Sequence, residues 1–418
     1  MSFFLGIDFG TSGARGIVID RDAEIVCSVR YAWEDSKDLI SNWRKGLDYL
    51  LDNIPLKIKS AIKAIAINGT SSTVLLCDKK GNPVTKPLLY NDDCGKEILA
   101  KVKNIAPPDS VVTSATSSLT KLFWWYEQPY FSPAAYFLHQ ADWLGFLLHG
   151  KLGISDYHNA LKLGYDVENL TYPAWLQNLP FSHLYPQVLA PGAPVGKVTL
   201  QNCDRFKLSP DCIVCTGTTD SIAAFIASGA NKSGEAVTSL GSTLVLKLLS
   251  KTKVEAAKYG IYSHKFGNLW LVGGASNTGG AVLKHFFSDR ELSSLSAKIN
   301  LNSESPLNYY PLLKSGDRFP INDPDLQPQL EPRPDDPVEF LHGLLASMSR
   351  IEKQGYKKLQ ELGASKLTKI YTAGGGAKNP TWQQIRQKYC DLPIERAKYT
   401  EAAYGSALLA KASLGNNS

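Results

Sequence analysis

The sequence predicts an α/β protein built from two domains, and three observations support this prediction. At 418 residues the chain is too long for one ordinary hydrophobic core. The first thirty residues form an apolar strand meander with a glycine-rich turn after Asp8, and a similar hairpin recurs around Gly241. Segments with helical spacing of apolar residues separate the strands. We therefore expect domains at 1–230 and 231–418, joined through the loop-forming stretch 228–234, with the final helix able to pack back on the first domain.

Composition and charge narrow the classes of function. The net charge of +6 is spread along the chain, without a run of five Lys or Arg residues that would indicate a nucleic-acid surface. No segment has the ~18 consecutive apolar residues that a membrane span needs, and the N-terminus favours a strand over a signal peptide. The seven cysteines form no regular framework, and Cys212 and Cys215 are expected to pack inside a buried strand. These features favour a cytoplasmic protein that binds small molecules, with neither a nucleic-acid nor a membrane partner.

The first glycine-rich turn, Asp8-Phe-Gly-Thr-Ser-Gly13, has the residue types of a phosphate-binding turn. Gly10 permits close backbone approach, and Thr11 and Ser12 add hydroxyl donors. Asp8 ends a buried strand, where a carboxylate is costly unless a hydrated Mg²⁺ ion or a substrate hydroxyl binds it. The alternative is a plain hairpin turn with a local side-chain hydrogen bond.

The second turn, Gly241-Ser242-Thr243, joins the two strands of the recurring hairpin. Taken alone, it is compatible with an ordinary turn. Its position in a repeat of the first hairpin predicts the same task, which is the binding of phosphate oxygens.

The third turn contains three consecutive glycines, 374–376, between an apolar strand and a helix that begins near Asn379. Three glycines cost chain entropy without a packing return. A flat ligand lying against the backbone at Gly375 and Gly376 is therefore the expected reason for them. Trp382, near the start of the helix, either stacks on an adenine ring or packs in the core.

Asp220 follows a glycine and two threonines at the junction of a strand and a helix. The positive end of the helix dipole favours an ionised carboxylate there, which suits a general base that accepts a proton from a hydroxyl group. The alternative is an N-cap, a position where aspartate is common.

Together these motifs resemble the FGGY carbohydrate kinases, within the larger superfamily of actin, heat-shock chaperones and hexokinase. The resemblance rests on the segments 6–12, 217–221, 239–243, 273–280, 373–382 and 401–407. It implies two actin-like ATPase (ribonuclease H-like) domains with a cleft between them, the first binding the sugar and the second the nucleotide. It also implies ATP and Mg²⁺ as cofactors, Asp220 as the catalytic base and Asp8 as a metal ligand through water. The implied ATP contacts are Gly10, Thr11, Ser12, Gly241, Ser242, Thr243, Gly280, Gly375, Gly376, Asn379 and Trp382.

The sequence departs from this family in the sugar-binding half. Many members carry a Gln and a His-Gly or Met-Gly pair where this chain has Asn-Gly-Thr-Ser-Ser-Thr at 68–73. The segment 90–94 lacks the arginine that grips the sugar in many members. The chain looks most like a short branch of pentulose kinases.

The resemblance therefore predicts transfer of the γ-phosphate of ATP to the C5 hydroxyl of D-ribulose, held by Asp8, Ser72 and Asp220. D-Xylulose is the closest alternative substrate. Two other functions stay open, an actin-like or chaperone-like ATPase switch and a degenerate kinase that only binds its sugar.

Overall fold

The computed structural model describes residues 2–33 and 38–415. Two compact units divide this part of the chain. Unit 1 consists of the residues up to Ala227 together with those from Tyr399 onward, and unit 2 consists of Ser228–Lys398. Unit 2 thus begins at the first residue of the loop-forming stretch 228–234, and the C-terminal segment belongs with the N-terminal half.

The strands are numbered in chain order. They are β1 (Phe3–Phe9), β2 (Gly13–Ile19), β3 (Ile25–Ala32), β4 (Ile62–Gly69), β5 (Val74–Cys77), β6 (Tyr136–His139), β7 (Ile154–Asp156), β8 (Gln187–Leu189), β9 (Pro194–Lys197), β10 (Ile213–Thr219), β11 (Glu235–Leu240), β12 (Leu244–Ser250), β13 (Ser263–Phe266), β14 (Leu269–Ser276), β15 (Lys369–Ala373) and β16 (Ile394–Arg396).

The α-helices are numbered in the same way. They are α1 (Leu39–Asp52), α2 (Leu56–Lys59), α3 (Leu99–Ile105), α4 (Ser118–Tyr126), α5 (Gln140–His149), α6 (Tyr157–Ala160), α7 (Ala174–Gln177), α8 (Leu200–Phe206), α9 (Asp220–Ala227), α10 (Gly280–Phe286), α11 (Asp289–Ser296), α12 (Pro337–Glu361), α13 (Pro380–Cys390) and α14 (Ala402–Ala412). Short 3₁₀ turns lie at Cys94–Ile98, Leu161–Leu163, Ser182–Leu184, Ala257–Tyr259 and Gly375–Lys378. Within the described residues, none of the helices has the length and apolar character needed to cross a bilayer.

A mixed six-stranded sheet forms the centre of unit 1, in the order β3-β2-β1-β4-β10-β9. The first three strands pair antiparallel in sequence, which confirms the predicted meander. β4 lies parallel to β1, and β10 lies parallel to β4. Because the carboxyl ends of parallel strands meet at one edge of a sheet, the loops after β1, β4 and β10 lie side by side.

The last helix, α14, packs on unit 1 with its backbone in direct contact with β1 and α9. A Cβ atom at Gly6 would lie 2.0 Å from the carbonyl oxygen of Ala403, and one at Gly405 would lie 1.8 Å from that of Ala223. Only glycine permits this approach. Apolar residues of α14 thereby complete one face of the unit 1 core.

Cys212 directly precedes β10, and Cys215 lies within it. Their exposed fractions are 0% and 4%. Both are free thiols, and their predicted role as packing residues is confirmed.

Unit 2 contains a second six-stranded sheet, in the order β13-β14-β12-β11-β15-β16. β11, β12 and β14 form an antiparallel meander, and β15 lies parallel to β11. Both sheets thus contain the same arrangement. Three antiparallel strands, β3-β2-β1 or β14-β12-β11, are followed by a strand that lies parallel to the last of the three, β4 or β15. The hairpin repeat predicted from the sequence is confirmed at the level of topology.

The 25-residue helix α12 covers one face of the unit 2 sheet. Its start is capped, because the Asp336 side chain accepts a hydrogen bond from the backbone N–H of Val338 and Pro337 is the first helical residue. It ends before Gly363, whose φ of +105° lies in the left-handed region that favours glycine. Its apolar stripe is buried in the core of unit 2.

Candidate active site

A row of polar residues lies in register at the edge of the unit 1 sheet where β1, β4 and β10 end. Asp8 of β1 pairs with Asn68 of β4, and Asn68 pairs with Thr218 of β10 on its other side. Asp220 follows two residues later, as the first residue of α9. Ligands of open α/β sheets bind at this carboxyl edge. The structure therefore brings Asp8 and Asp220, predicted separately from the sequence, to the same edge of one sheet.

The carboxyl group of Asp8 is half-buried and incompletely paired. Its Oδ1 is buried and has no hydrogen-bond partner among the described residues. Burial, and after it the charge of Asp220, raise the pKa of Asp8 to about 7, against a lowering effect of Arg15. Arg15 lies opposite Asp8 on β2 and also pairs with Glu401 at 3.3 Å. Such a carboxyl group is suited to a ligand that completes its bonding.

Asp220 is half-exposed, and the strand before it is tightly packed. Its Oδ1 accepts a hydrogen bond from the backbone N–H of Ser221 at 2.6 Å. A Cβ atom at Gly217 would lie 1.7 Å from the carbonyl oxygen of Ile67, at the point where the pairing register of β10 shifts. The hydroxyl of Thr219 is buried without a hydrogen-bond partner in the described part of the chain. The end of β10 therefore fixes the backbone from which Asp220 projects.

The predicted phosphate-binding turn follows β1. The N–H of Gly10 donates to the carbonyl oxygen of Gly13 at 3.0 Å, and Thr11 and Ser12 are exposed at the tip. Trp33 holds this turn through two bonds. Its indole Nε1–H donates to the carbonyl oxygen of Gly10 at 3.0 Å, and its backbone N–H donates to that of Ser12 at 3.3 Å. Sequence reasoning missed Trp33, because a tryptophan after a strand carries no specific signal.

A cavity of about 130 Å³ opens beside this turn in unit 1. Three aromatic rings and a few polar groups form its wall, which consists of Gly10, Thr11, Trp33, Leu39, Asn42, Trp43, Thr70, Leu89, Tyr90 and Gln140. Small-molecule sites typically have this composition, with an apolar wall and a few polar groups that fix the orientation of the ligand. The cavity is therefore the candidate site for a small polar substrate.

The cavity is lined by Thr70 and not by Ser72. The side chain of Ser72 is 1% exposed, and its Oγ has no hydrogen-bond partner among the described residues. The residue adopts a φ of +62° inside a tight turn in which the N–H of Thr73 donates to the carbonyl oxygen of Thr70. The fold encloses the Ser72 hydroxyl, and its contact with the substrate stays a prediction.

Gln140 connects the cavity wall to α5. Its Oε1 accepts hydrogen bonds from the backbone N–H and the hydroxyl of Thr70, at 3.1 and 3.3 Å. The hydroxyl oxygens of Thr70 and Thr73 lie 2.5 Å apart. Sequence reasoning also missed Gln140, although a polar residue directly after a buried strand is the signal that singled out Asp8.

Three predicted nucleotide-binding segments of unit 2 contact one another, namely the turn at Gly241, the start of α10 and the glycines 374–376. The N–H of Gly280 donates to the carbonyl oxygen of Gly241 at 2.8 Å. Gly374 has a φ of +83°, and a Cβ atom there would lie 2.7 Å from the carbonyl carbon of Leu240. The turns of β11 and β15 and the start of α10 thus meet at one edge of the sheet. Clustered backbone N–H groups of this kind are typical of anion sites.

The accessible groups of these turns are the ones that the sequence singled out for ATP. Ser242 is exposed and Thr243 is half-exposed. A Cβ atom at Gly375 would meet no atom within 4 Å, whereas one at Gly376 would lie 2.6 Å from the ring of Trp382. Gly375 therefore borders open space, and Gly376 is needed for packing.

The side chain of Trp382 is 2% exposed and packs in the core of unit 2. This burial bears out the alternative of core packing. Stacking of Trp382 on adenine stays a prediction.

Asn379 serves as the N-cap of α13. Its Oδ1 accepts a hydrogen bond from the backbone N–H of Trp382 at 3.0 Å, and its Nδ2 donates to the hydroxyl of Ser296 at 2.8 Å. Capping accounts for this side chain, and its contact with ATP stays a prediction.

Family models match almost the whole chain. Residues 3–227 match the N-terminal domain and residues 236–414 the C-terminal domain of one family of carbohydrate kinases. The protein is therefore an ATP-dependent sugar kinase with a two-domain α/β fold. It belongs to the FGGY family of carbohydrate kinases, as the motifs in its sequence predicted.

Relatives and solved structures agree with this assignment. A xylulose kinase of Staphylococcus epidermidis is 22% identical, over 98% of this chain and 88% of the relative. The structure of a ligand-bound xylulose kinase from Lactobacillus acidophilus matches with a TM-score of 0.84 at 17% identity, over 100% of this chain and 90% of that one. A glycerol kinase of Plasmodium falciparum with ADP matches with the same TM-score, identity and coverage. At these identities the solved structures establish the fold.

Proposed function

We propose that this kinase transfers the γ-phosphate of ATP to the terminal hydroxyl of a ketopentose, with the sugar on unit 1 and ATP mainly on unit 2. The observation that carries the proposal is the pair of Asp8 and Asp220 at the carboxyl edge of the unit 1 sheet, beside a small cavity. One carboxylate has a buried oxygen without a partner among the described residues, and the other is half-exposed at a helix start. Phosphoryl transfer needs such groups for positioning and charge control more than for covalent chemistry.

Asp220 is the proposed general base. It accepts the proton of the sugar hydroxyl while that oxygen attacks the γ-phosphorus and ADP leaves. The hydrogen bond from Ser221 and the start of α9 favour the ionised carboxylate. The proposed phosphate contacts are Gly241, Ser242 and Thr243 within unit 2, and Thr11 and Ser12 within unit 1.

Asp8 fits the Mg²⁺ ion that ATP-dependent kinases use. Its unpartnered Oδ1 is an oxygen ligand of the kind that Mg²⁺ prefers, directly or through water. The described residues contain no cluster of three or more His, Cys, Asp or Glu side chains for a metal, so phosphate oxygens and water would supply the remaining ligands. When bound, the ion would neutralise charge on the β- and γ-phosphates. A bound cation would also favour ionised Asp8 over the protonated form.

The particular ketopentose is the finer part of the proposal. The sequence favours D-ribulose, because the missing arginine in 90–94 leaves few groups to clamp a longer polyol. The relatives carry the name xylulose kinase, which favours D-xylulose. The two sugars differ at C3 alone, and a cavity with few polar side chains discriminates modestly between them. We therefore expect turnover of both, with a KM toward the millimolar end of the usual range.

Membership of a carbohydrate kinase family counts against an ATPase switch that has no acceptor. A degenerate kinase that binds sugar without turnover would keep the fold and lose the chemistry, but both carboxylates are in place. The predicted cytoplasmic location stays a prediction.

The decisive experiment is an ADP-release assay with a panel of pentuloses, hexuloses, aldoses and glycerol. We expect the highest kcat/KM with D-ribulose or D-xylulose, and ATP hydrolysis that rises when sugar is added. A higher kcat/KM with glycerol or a hexose would contradict the ketopentose assignment. Sugar-independent hydrolysis would instead support the switch.

A further inference from the structure

A lysine is buried behind the cavity of unit 1. Lys121 lies on α4, and its exposed fraction is 0%. Its Nζ donates to the carbonyl oxygen of Ser72 at 2.8 Å and to that of Leu89. These carbonyls belong to two neighbouring segments of the chain, so one cation joins two pieces of backbone.

Both segments form part of the cavity wall. Thr70 lines the cavity from the turn that contains Ser72, and Leu89 and Tyr90 line it from the other segment. A second bond joins them, since the N–H of Tyr90 donates to the hydroxyl of Thr73 at 3.0 Å. Two backbone hydrogen bonds between Val74 and Leu88 pair the same segments next to the cavity. The bonds of Lys121 and Tyr90 hold the part of the segments that lines the cavity, and hence the width of this side of it.

The charges around Lys121 are few. Asp92 and Cys94 face it from the segment after Tyr90, and Lys162 faces it from a 3₁₀ turn. No salt bridge of Lys121 is found among the described residues, and Asp92 is bonded to the N–H of Leu89 at 2.7 Å. Burial lowers the pKa of Lys121 to about 8. A buried cation whose hydrogen-bond partners are carbonyl oxygens alone costs folding free energy. The apolar residues of α4 would pack without this lysine.

We propose that Lys121 is a positioning residue for the sugar pocket, which sets the affinity for the acceptor sugar by holding the turn 70–73 and the segment 89–90 at a fixed distance. The inference rests on the proposed function, because it takes the cavity to be the sugar site. The effect is on the sugar and not on ATP, because neither of the two segments that Lys121 joins contains a predicted ATP contact. It does not involve the reacting atoms, so kcat should change less than the KM for sugar.

The protonation state of Lys121 gives a second expectation. Below about pH 8 the ammonium group makes charge-assisted hydrogen bonds to both carbonyls, and above that pH the neutral amine makes weaker ones. The KM for sugar should therefore rise above about pH 8 in the wild type. Arginine stays charged throughout this range, so Lys121→Arg should remove the rise if its longer side chain is accommodated.

The test compares Lys121→Met with Lys59→Met. Lys59 is a matched control, because it is also buried in unit 1 and donates to two carbonyl oxygens, those of Leu51 and Asp52 at the end of α1. We expect Lys121→Met to raise the KM for sugar about tenfold or more and to leave the KM for ATP unchanged. The KM for sugar of this variant should not rise further above pH 8. Lys59→Met should leave the KM for sugar unchanged.

Hydrogen exchange keeps the test independent of turnover. In Lys121→Met the amides of Thr73 and Tyr90 should lose protection, and in Lys59→Met they should keep it. Unchanged protection and unchanged KM for sugar in folded Lys121→Met would overturn the inference, and so would an equal effect of both variants. A wild-type enzyme without turnover on any sugar would overturn the proposed function instead, and the exchange of these two amides would still decide the role of Lys121.

Discussion

Asp8 and Asp220 are electrostatically coupled across the carboxyl edge of the unit 1 sheet. Burial is the largest cause of the raised pKa of Asp8, and the negative charge of Asp220 adds to it. Asp8 is therefore partly protonated at neutral pH as long as no cation is bound to it. The proximity of the two carboxylates costs folding free energy. It also places Asp220, the proposed base, beside Asp8, the proposed ligand of a cation.

Asp220→Asn should remove the base and leave the fold intact. We expect kcat to fall about 10²–10⁴-fold, because an amide cannot accept the proton of the hydroxyl. ATP affinity, measured by calorimetry, should stay within about twofold. Wild-type turnover would contradict the assignment. A large loss of melting temperature would show that Asp220 serves the helix start instead.

Asp8→Asn should stabilise the protein in a pH-dependent way. The pKa of Asp8 is higher in the folded state than its ordinary value, so folding favours the protonated form and stability is lost as the pH rises from about 4 to about 7. The amide cannot ionise, and the variant should therefore gain a melting temperature of a few degrees above pH 7. Little of this gain should remain at pH 4.

Thermal scans at pH 4, 6 and 8 measure this effect, with the exposed Asp22→Asn as a control that should show no trend. A gain of equal size at all three pH values would rule out the ionisation of Asp8 as its cause. Turnover should be lost in Asp8→Asn at every pH.

Gly375 and Gly376 form a matched pair for the nucleotide site. Gly375→Val should leave the melting temperature nearly unchanged, because its side chain enters open space, and should weaken ATP binding about tenfold by blocking close approach. Gly376→Val should lower the melting temperature, because its Cβ would collide with the Trp382 ring. Unchanged ATP affinity in Gly375→Val would remove this glycine from the site.

Trp382→Ala tests whether this tryptophan serves the core of unit 2 or the nucleotide site. Removal of a buried ring of this size costs about 3–5 kcal/mol, so the variant should unfold at a clearly lower denaturant concentration. Trp270→Ala is the control, since this ring is only half-buried in the same unit and should cost less. A stable Trp382→Ala variant with weakened ATP binding would bring back the stacking role.

The sequence predicted those parts of the site that depend on local backbone chemistry. Glycine and hydroxyl residues at the ends of strands indicate turns. This pattern made it possible to recognise the turn after Asp8, the turn at Gly241 and the glycines 374–376. The burial of Ser72 and Trp382 could not be predicted in this way, because both residues are enclosed by neighbours that lie elsewhere in the sequence. The residues next to Ser72 or Trp382 in the sequence do not indicate that distant segments will bury it.

Trp33, Lys121 and Gln140 were missed for a related reason. Each acts through hydrogen bonds to a segment far away in the chain. Lys121 left a usable signal, as Gln140 did, since a lysine within the apolar run of α4 is unexpected on a buried face.

The contacts of α14 also bear on how the chain is made. Unit 2 is continuous in sequence, whereas unit 1 needs α14, whose glycine Gly405 packs on α9 and whose Ala403 packs on Gly6. A ribosome delivers this helix after all of unit 2. The N-terminal sheet therefore keeps the face around Gly6 uncovered until α14 has been synthesised, and unit 1 becomes complete only after unit 2.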